Sequence, residues 1–244
     1  MTWVKICGIT NLEDALTAVD AGADALGFVF YEKSPRNAAP ATVREIVHQM
    51  PAHIEKVGVF VGNNPKNLPE LAHDLGLTGA QLHFGTEVGS VNETMVHGSG
   101  CFPLGFKSYT SMPAEWFIES EDSASRFIAS AARAAEIMRS HPGGDKLSNF
   151  VQTIFLDSGS LQQPGGTGTV FNWKKAAPIV EHMRQVVRVV VAGGLNPSNV
   201  TDAIHILKPW GVDVSSGVES KPGKKDPEKV RAFVAAVRQA ERVE

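Results

Sequence analysis

Eight short β-rich runs alternate with eight amphipathic helical stretches along the 244 residues, and that alternation limits the chain to very few folds. The strand candidates are "WVKIC" (3–7), "ALGFVF" (25–30), "KVGVFV" (56–61), "GAQLH" (79–83), "FPLGFK" (102–107), "QTIFLD" (152–157), "VVRVVVA" (186–192) and "GVDVSS" (211–216). Helical stretches fill 11–21, 40–50, 65–75, 87–97, 123–140, 173–184, 197–207 and 227–242. Several open on residues that suit a helix start. Asn11 offers a side-chain acceptor to free N–H groups, while Pro40, Pro65 and Pro197 stand in first turns, where a missing N–H costs nothing. Gly22 and Gly76 mark stops. Eight such units in series, with no long linker or compositional shift, predict a closed (β/α)8 TIM barrel rather than a doubly wound open sheet. A chain of this length that is 43% hydrophobic can fill such a core as one domain spanning 1–244. One segment strains the count. Residues 108–151 are too many for one loop and one helix, although "SASRFIASAARAAEIM" sets Phe127, Ile128, Ala131, Ala134, Ala135 and Met138 on one face. It reads as an enlarged fifth βα unit with "HPGGDKLSN" as a flexible return loop.

Charge narrows the partners. A net charge of −3 with basic residues dispersed gives no footprint for nucleic acid or an anionic membrane, so the expected partner is a small molecule. The two cysteines, Cys7 and Cys101, fall in no CxxC or Cys/His spacing, which predicts no structural metal and a reducing compartment, with a single disulfide left open. No apolar run reaches transmembrane length and no basic leader precedes an apolar core, so a cytoplasmic protein is expected. Monomer and homodimer are equally compatible with the sequence.

Strand alternation then assigns sides. Val4 and Ile6 should face the helices and Lys5 and Cys7 the barrel interior; Gln81 and His83, Asp157, and Asp213 and Ser215 fall in step on strands 4, 6 and 8. Barrel enzymes keep their chemistry at the C-terminal strand ends, which makes Cys7, His83, Asp157 and Ser215 site candidates. Lys5 and Asp213 lie one layer deeper on neighbouring strands, where a structural ion pair is the simpler reading. Cys101 has no acid partner and reads as a structural thiol.

Loop chemistry points to phosphate. "AGGL" (192–195) and "SSGVE" (215–219) end strands 7 and 8, so Gly193, Gly194, Ser215, Ser216 and Gly217 gather backbone N–H groups and hydroxyls, and a short helix after "SSG" would aim its positive end there. Either glycine group alone could be mere turn residues; together at adjacent strand ends they favour a phosphate site. "GVESKPGKK" lacks P-loop spacing and no GxGxxG occurs, so no nucleotide cofactor is expected. "GSLQQPGGTGTVFNW" (159–173) is either a mobile lid or a plain connector. Arg36, in "YEKSPRNAAP" (31–40), stands at the barrel mouth, where its fork can clamp a carboxylate.

In order, "KICGIT", "EDALTAVDAGADALGFVFYEKSPR", "KVGVFV", "QLH", "FLDS", "GGTG", "AGGLNPSNV" and "DVSSGVES" with "PGKKD" resemble the phosphoribosylanthranilate isomerase family over essentially the whole chain except about 108–151. The resemblance implies a cofactor-free Amadori rearrangement of N-(5-phosphoribosyl)anthranilate to 1-(2-carboxyphenylamino)-1-deoxyribulose 5-phosphate. It also implies Cys7 as general base, Asp157 as general acid, Arg36 on the anthranilate and the glycines and serines after strands 7 and 8 on the phosphate. Such chemistry requires Asp157 to enter protonated and Cys7 to act as thiolate, which Lys5 or helix termini would favour. Departures from the family pattern fall at Phe84, where "FGTE" follows "QLH", and at Thr169 and Asn172, where lysine and aspartate are frequent. They bear on lid behaviour and affinity rather than on the acid or base. Two other readings share the fold and phosphate loops: another phosphosugar isomerase or epimerase, and a non-catalytic phosphate-ligand binding barrel. The combination of Cys7, Arg36 and Asp157 separates them.

Overall fold

Side-chain caps start several helices, at Asn11 as the sequence marks and also at Asn172 and Asp226, which it does not mark. In α1 (Leu12–Asp20) the Asn11 side chain accepts from the Asp14 amide at 2.9 Å, in α6 (Trp173–Met183) Asn172 accepts from Lys175 at 3.1 Å, and in α8 (Pro227–Ala240) Asp226 accepts from Glu228 and Lys229. Proline opens α2 (Pro40–Val47), and α3 runs Leu68–Leu75 and α7 Val200–Leu207. The last starts three residues later than the predicted 197, because Asn196 turns its side chain onto the Ser198 amide and hydroxyl in a tight turn. This is a computed structural model describing residues 1–61, 68–83, 105–140, 153–159 and 168–242.

Eight parallel strands close on themselves in chain order: β1 (Trp3–Cys7), β2 (Ala25–Phe30), β3 (Glu55–Val61), β4 (Gly79–His83), β5 (Lys107–Pro113), β6 (Thr153–Asp157), β7 (Arg188–Val191) and β8 (Gly211–Val214). The predicted barrel is therefore the observed one. β1 closes the ring by pairing Lys5 with Ala25 of β2 on one side and with Asp213 of β8 on the other. Outward residues such as Val4, Ile6, Leu26, Phe28, Ile154, Leu156, Val212 and Val214 join the buried helix faces in the main core. Inside, Trp3, Ala25, Val57, Tyr109, Phe155, Val190 and Ala192 form a second cluster, and Cys7, Val29 and Val59 a small third one. This is the two-sided burial that makes parallel strands read as apolar runs interrupted only at the interior.

The fifth strand differs from its prediction at 102–107. Gly105 takes a left-handed φ of +85°, which turns the chain, and pairing starts at Lys107, whose amide donates to the Thr78 carbonyl at 2.9 Å. β5 is thus the polar stretch "KSYTSMP", a weaker hydrophobic signal than the "FPLGF" before it. Two helices follow, α4 (Glu115–Ile118) and α5 (Glu121–Ser140), so the fifth unit is enlarged as expected. Phe127 packs edge-on to Phe117 at 5.5 Å, and Ala131 is buried. The side chains of Ala134, Ala135 and Met138, the loop "HPGGDKLSN", Cys101, Phe84 and the predicted helix at 87–97 lie outside the described residues.

A second difference follows β8. Instead of a short α-helix, one 3-10 turn (Ser216–Val218) leads into a hairpin of β9 (Glu219–Lys221) and β10 (Lys224–Lys225). Among the described residues, no helix is long and apolar enough to cross a membrane.

Candidate active site

β1 carries two polar side chains into the barrel because its register leaves room for them. Cys7 lies level with Gly27, and a Cβ at Gly27 would stand 2.8 Å from the Cys7 sulfur and 3.0 Å from Lys5 Cε. Lys5 is fully buried and its Nζ donates to Asp213 Oδ1 at 2.9 Å, with the Phe155 ring 5.1 Å away. Burial pulls the Lys5 ammonium down, but Asp213 and Cys7 beside it raise it further, so it stays charged. Burial pushes the Asp213 carboxyl up, and Lys5 offsets this only in part. The predicted ion pair is present.

Lys5 is also the charge that the rim residues share. Burial pushes the Cys7 thiol above its ordinary value, against the downward pull of Lys5 and Lys225. The expectation that Lys5 lowers this thiol is therefore met in sign but outweighed, because desolvation of a thiolate inside the barrel is the larger effect. Asp157 ends β6, and burial raises its carboxyl as expected, against one hydrogen bond accepted from the Gly159 amide at 2.7 Å and the pull of Lys5. His83 ends β4, meets Gln81 at 3.0 Å, and is driven down to about 4 by burial and then by Lys5, so its imidazole is neutral.

At the ends of β7 and β8 the backbone is bare. Gly193 and Gly194 take φ of +80° and +67°, and a Cβ at Gly193 would stand 2.8 Å from Asp157 Oδ1. Ser215, Ser216 and Gly217 stand at the adjacent strand end, since β7 pairs with β8, and Gly217 packs on the Leu195 carbonyl that follows Gly194. Among the described residues, the buried hydroxyls of Ser158 and Ser215 have no hydrogen-bond partner. Unpartnered buried hydroxyls beside bared backbone have the donor chemistry that suits an anion.

Arg36 is held rather than free. Its Nε and Nη2 donate to the two carboxylate oxygens of Glu219, each at 2.8 Å. Lys225, buried beneath, donates to Glu219 Oε1 and to the Ser215 carbonyl, each at 3.1 Å. Glu219 was missed as a site residue because its partner Arg36 is remote in sequence, and Lys225 because it acts through Glu219; the run of charges in "ESKPGKK" after a barrel strand was the available signal. Ser111, buried on β5 level with His83, was missed because strand 5 was placed too early. Thr169 and Asn172 lie before and at the start of α6, where Asn172 is the cap. Among the described residues, no group of three His, Cys, Asp or Glu side chains is arranged to hold a metal ion.

Fold and rim together define a (β/α)8-barrel enzyme whose polar groups gather at the C-terminal face. Comparison with known proteins narrows this further: a family model described as N-(5'phosphoribosyl)anthranilate (PRA) isomerase matches residues 4–99 and 138–236, and the chain belongs to that family. The unmatched stretch between them contains β5, α4 and most of α5. An N-(5'-phosphoribosyl)anthranilate isomerase of Chlorobaculum parvum is 39% identical over 243 residues, covering 100% of this chain and 98% of the relative. One of Pelobacter propionicus is 41% identical over 96% of this chain and 94% of the relative. The crystal structure of phosphoribosyl anthranilate isomerase from Thermotoga maritima superposes with a TM-score of 0.74 at 33% identity, over 98% of this chain and 100% of that one. Another, in complex with reduced 1-(o-carboxyphenylamino)-1-deoxyribulose 5-phosphate, has a TM-score of 0.70 at 32% identity, over 98% and 100% of the two chains.

Proposed function

We propose that this chain isomerises N-(5-phosphoribosyl)anthranilate in tryptophan biosynthesis, in the cytoplasm and without a cofactor, with Asp157 as general acid and Cys7 as general base. The observation that carries the reading is a half-buried carboxyl and a buried thiol at strand ends of one barrel, both within electrostatic reach of Lys5. The phosphate is received by the N–H groups and hydroxyls of Gly193, Gly194, Ser215, Ser216 and Gly217, with the Ser158 hydroxyl beside them. Arg36 takes the anthranilate carboxylate, and neutral His83 lies on the interior near the sugar.

The steps then balance. Asp157 gives its proton to the furanose ring oxygen, the bond from that oxygen to C1 breaks, and the anthranilate nitrogen lone pair forms the C1=N double bond of a Schiff base. Cys7 thiolate takes the C2 proton, and the C–H electrons become the C1=C2 bond of an enolamine as the C=N pair returns to nitrogen. Proton return at C1 and loss of the C2 hydroxyl proton give the aminoketose. The raised carboxyl of Asp157 favours its acidic form. The raised thiol of Cys7 makes its thiolate scarce but strongly basic, and Lys5 is the fixed positive charge that stabilises the thiolate when it forms.

Purified protein mixed with phosphoribosylanthranilate is expected to abolish the substrate's anthranilate fluorescence at enzymatic rates. Binding without fluorescence loss would mean a phosphate-ligand barrel, and activity on other phosphosugars alone a different isomerase.

A further inference from the structure

The guanidinium of Arg36 has two usable edges, and among the described residues one is bound and the other is not. Nε and Nη2 are bound in parallel by Glu219, which leaves both Nη1 hydrogens and one on Nη2 for a second, end-on carboxylate. The stem of Arg36 lies over the end of β1, where a Cβ at Gly8 would stand 2.7 Å from Arg36 Cδ and 2.9 Å from Ser215 Oγ. The guanidinium is thereby seated beside Cys7 and the β8 strand end.

Glu219 is itself held from several directions. Lys229 donates to its carbonyl at 2.9 Å, and Lys225 donates to its carboxylate. The hairpin that carries it is tied to α1 and the loop before it: the Lys225 amide donates to Asp14 Oδ2 at 2.8 Å and Thr10 Oγ1 to the Gly223 carbonyl at 2.6 Å. The Arg36 and Glu219 side chains are only 13% and 4% exposed, so the pair is largely shielded from solvent. Arg36 and Lys225 are cations and Glu219 an anion, so the triad carries one net positive charge, matched to one incoming carboxylate.

We propose that Glu219 is a positioning residue for substrate specificity: it grips the inner edge of Arg36 and turns the outer edge to the mouth, where that edge selects an aryl carboxylate. The proposal rests on the reading that Arg36 receives the anthranilate carboxylate. Without Glu219, Arg36 loses both hydrogen bonds of its inner edge while the cation Lys225 stays beside it, and it swings away from the end of β1.

The test is a steady-state cycle of wild type, Glu219→Gln, Arg36→Met and the double variant, with phosphoribosylanthranilate as substrate. Glu219→Gln is expected to raise KM about tenfold, with kcat changed by less than about threefold. In the Arg36→Met background the same substitution should change KM by less than about twofold. An unchanged KM in Glu219→Gln, or an equal change in both backgrounds, overturns the proposal while leaving Arg36 in its role. An unchanged KM in Arg36→Met alone overturns the carboxylate reading and the proposal with it. If Glu219→Gln does not fold, Glu219→Asp keeps the charge and shortens the grip; it should raise KM by about threefold, and an unchanged KM contradicts the proposal.

Discussion

The two ends of the barrel are built from opposite kinds of interaction. At the N-terminal end, Trp3, Tyr109 and Phe155 meet ring to ring at about 6 Å, Trp3 stacks on Trp210 at 5.2 Å, and Arg188 lies 4.9 Å over the Trp210 ring. Glu55 there receives both Lys107 and the Tyr109 hydroxyl. At the C-terminal end, the same parallel strands finish in a thiol, a carboxyl, an imidazole and hydroxyls, several pushed from their ordinary ionisation and, among the described residues, some without partners. The lesson is one of proportion: the N-terminal end is mostly packed rings, with Trp3 Nε1 lacking a partner among the described residues and the Tyr109 hydroxyl raised by burial, whereas the C-terminal end gathers polar groups of many kinds.

That contrast breaks most visibly at the rim. Cys7→Ala and Asp157→Asn should each lower kcat by about 10²–10⁴-fold, the usual contribution of a positioned acid or base, with melting temperatures close to wild type. At the other end, Phe155→Ala removes a ring fully buried between Trp3 and Tyr109 and should cost about 3–5 kcal/mol of stability, read as a denaturant midpoint shift. Activity per folded molecule should fall far less. A loss of kcat as large as that of Cys7→Ala would mean the ends are not separable.

The pH profile sharpens the comparison. In the proposed mechanism turnover needs Asp157 protonated and Cys7 ionised, and the carboxyl is raised from 3.8 and the thiol from 9.0. Whichever titrates first, the rising limb of kcat/KM must lie above 3.8 and the falling limb above 9.0. With Asp157 the lower, the rate climbs as pH passes its pKa, stays level, and falls only when the thiol ionises fully and the protonated carboxyl vanishes. A thiol titrating well below 9.0 in a direct absorbance measurement would reverse the balance between burial and Lys5. The smallest effect belongs to Arg188→Ala, which should cost about 0.5–1 kcal/mol by melting and leave kcat and KM untouched.

How much of this was legible in sequence depended on whether the signal was local. Alternation put Lys5, Cys7, Gln81, His83, Asp157 and Asp213 on the interior because each sits in an apolar strand of period two, and the structure has them there. β5 was misplaced because its polar "KSYTSMP" alternates without contrast and an apolar run precedes it, so Ser111 went unseen. The grip of Glu219 on Arg36 joins residues 183 apart and leaves no periodic trace. The thiol's ionisation stayed open in the sequence for a different reason: charges can be counted there, whereas desolvation depends on the closed barrel around them.

The most direct test separates binding from chemistry at the rim, using reduced 1-(o-carboxyphenylamino)-1-deoxyribulose 5-phosphate, the ligand bound in one of the related crystal structures. Calorimetric titration of Cys7→Ala and Asp157→Asn is predicted to give affinities within about tenfold of wild type, alongside turnover of phosphoribosylanthranilate reduced by about 10²-fold or more. Wild-type turnover in either variant would contradict the account.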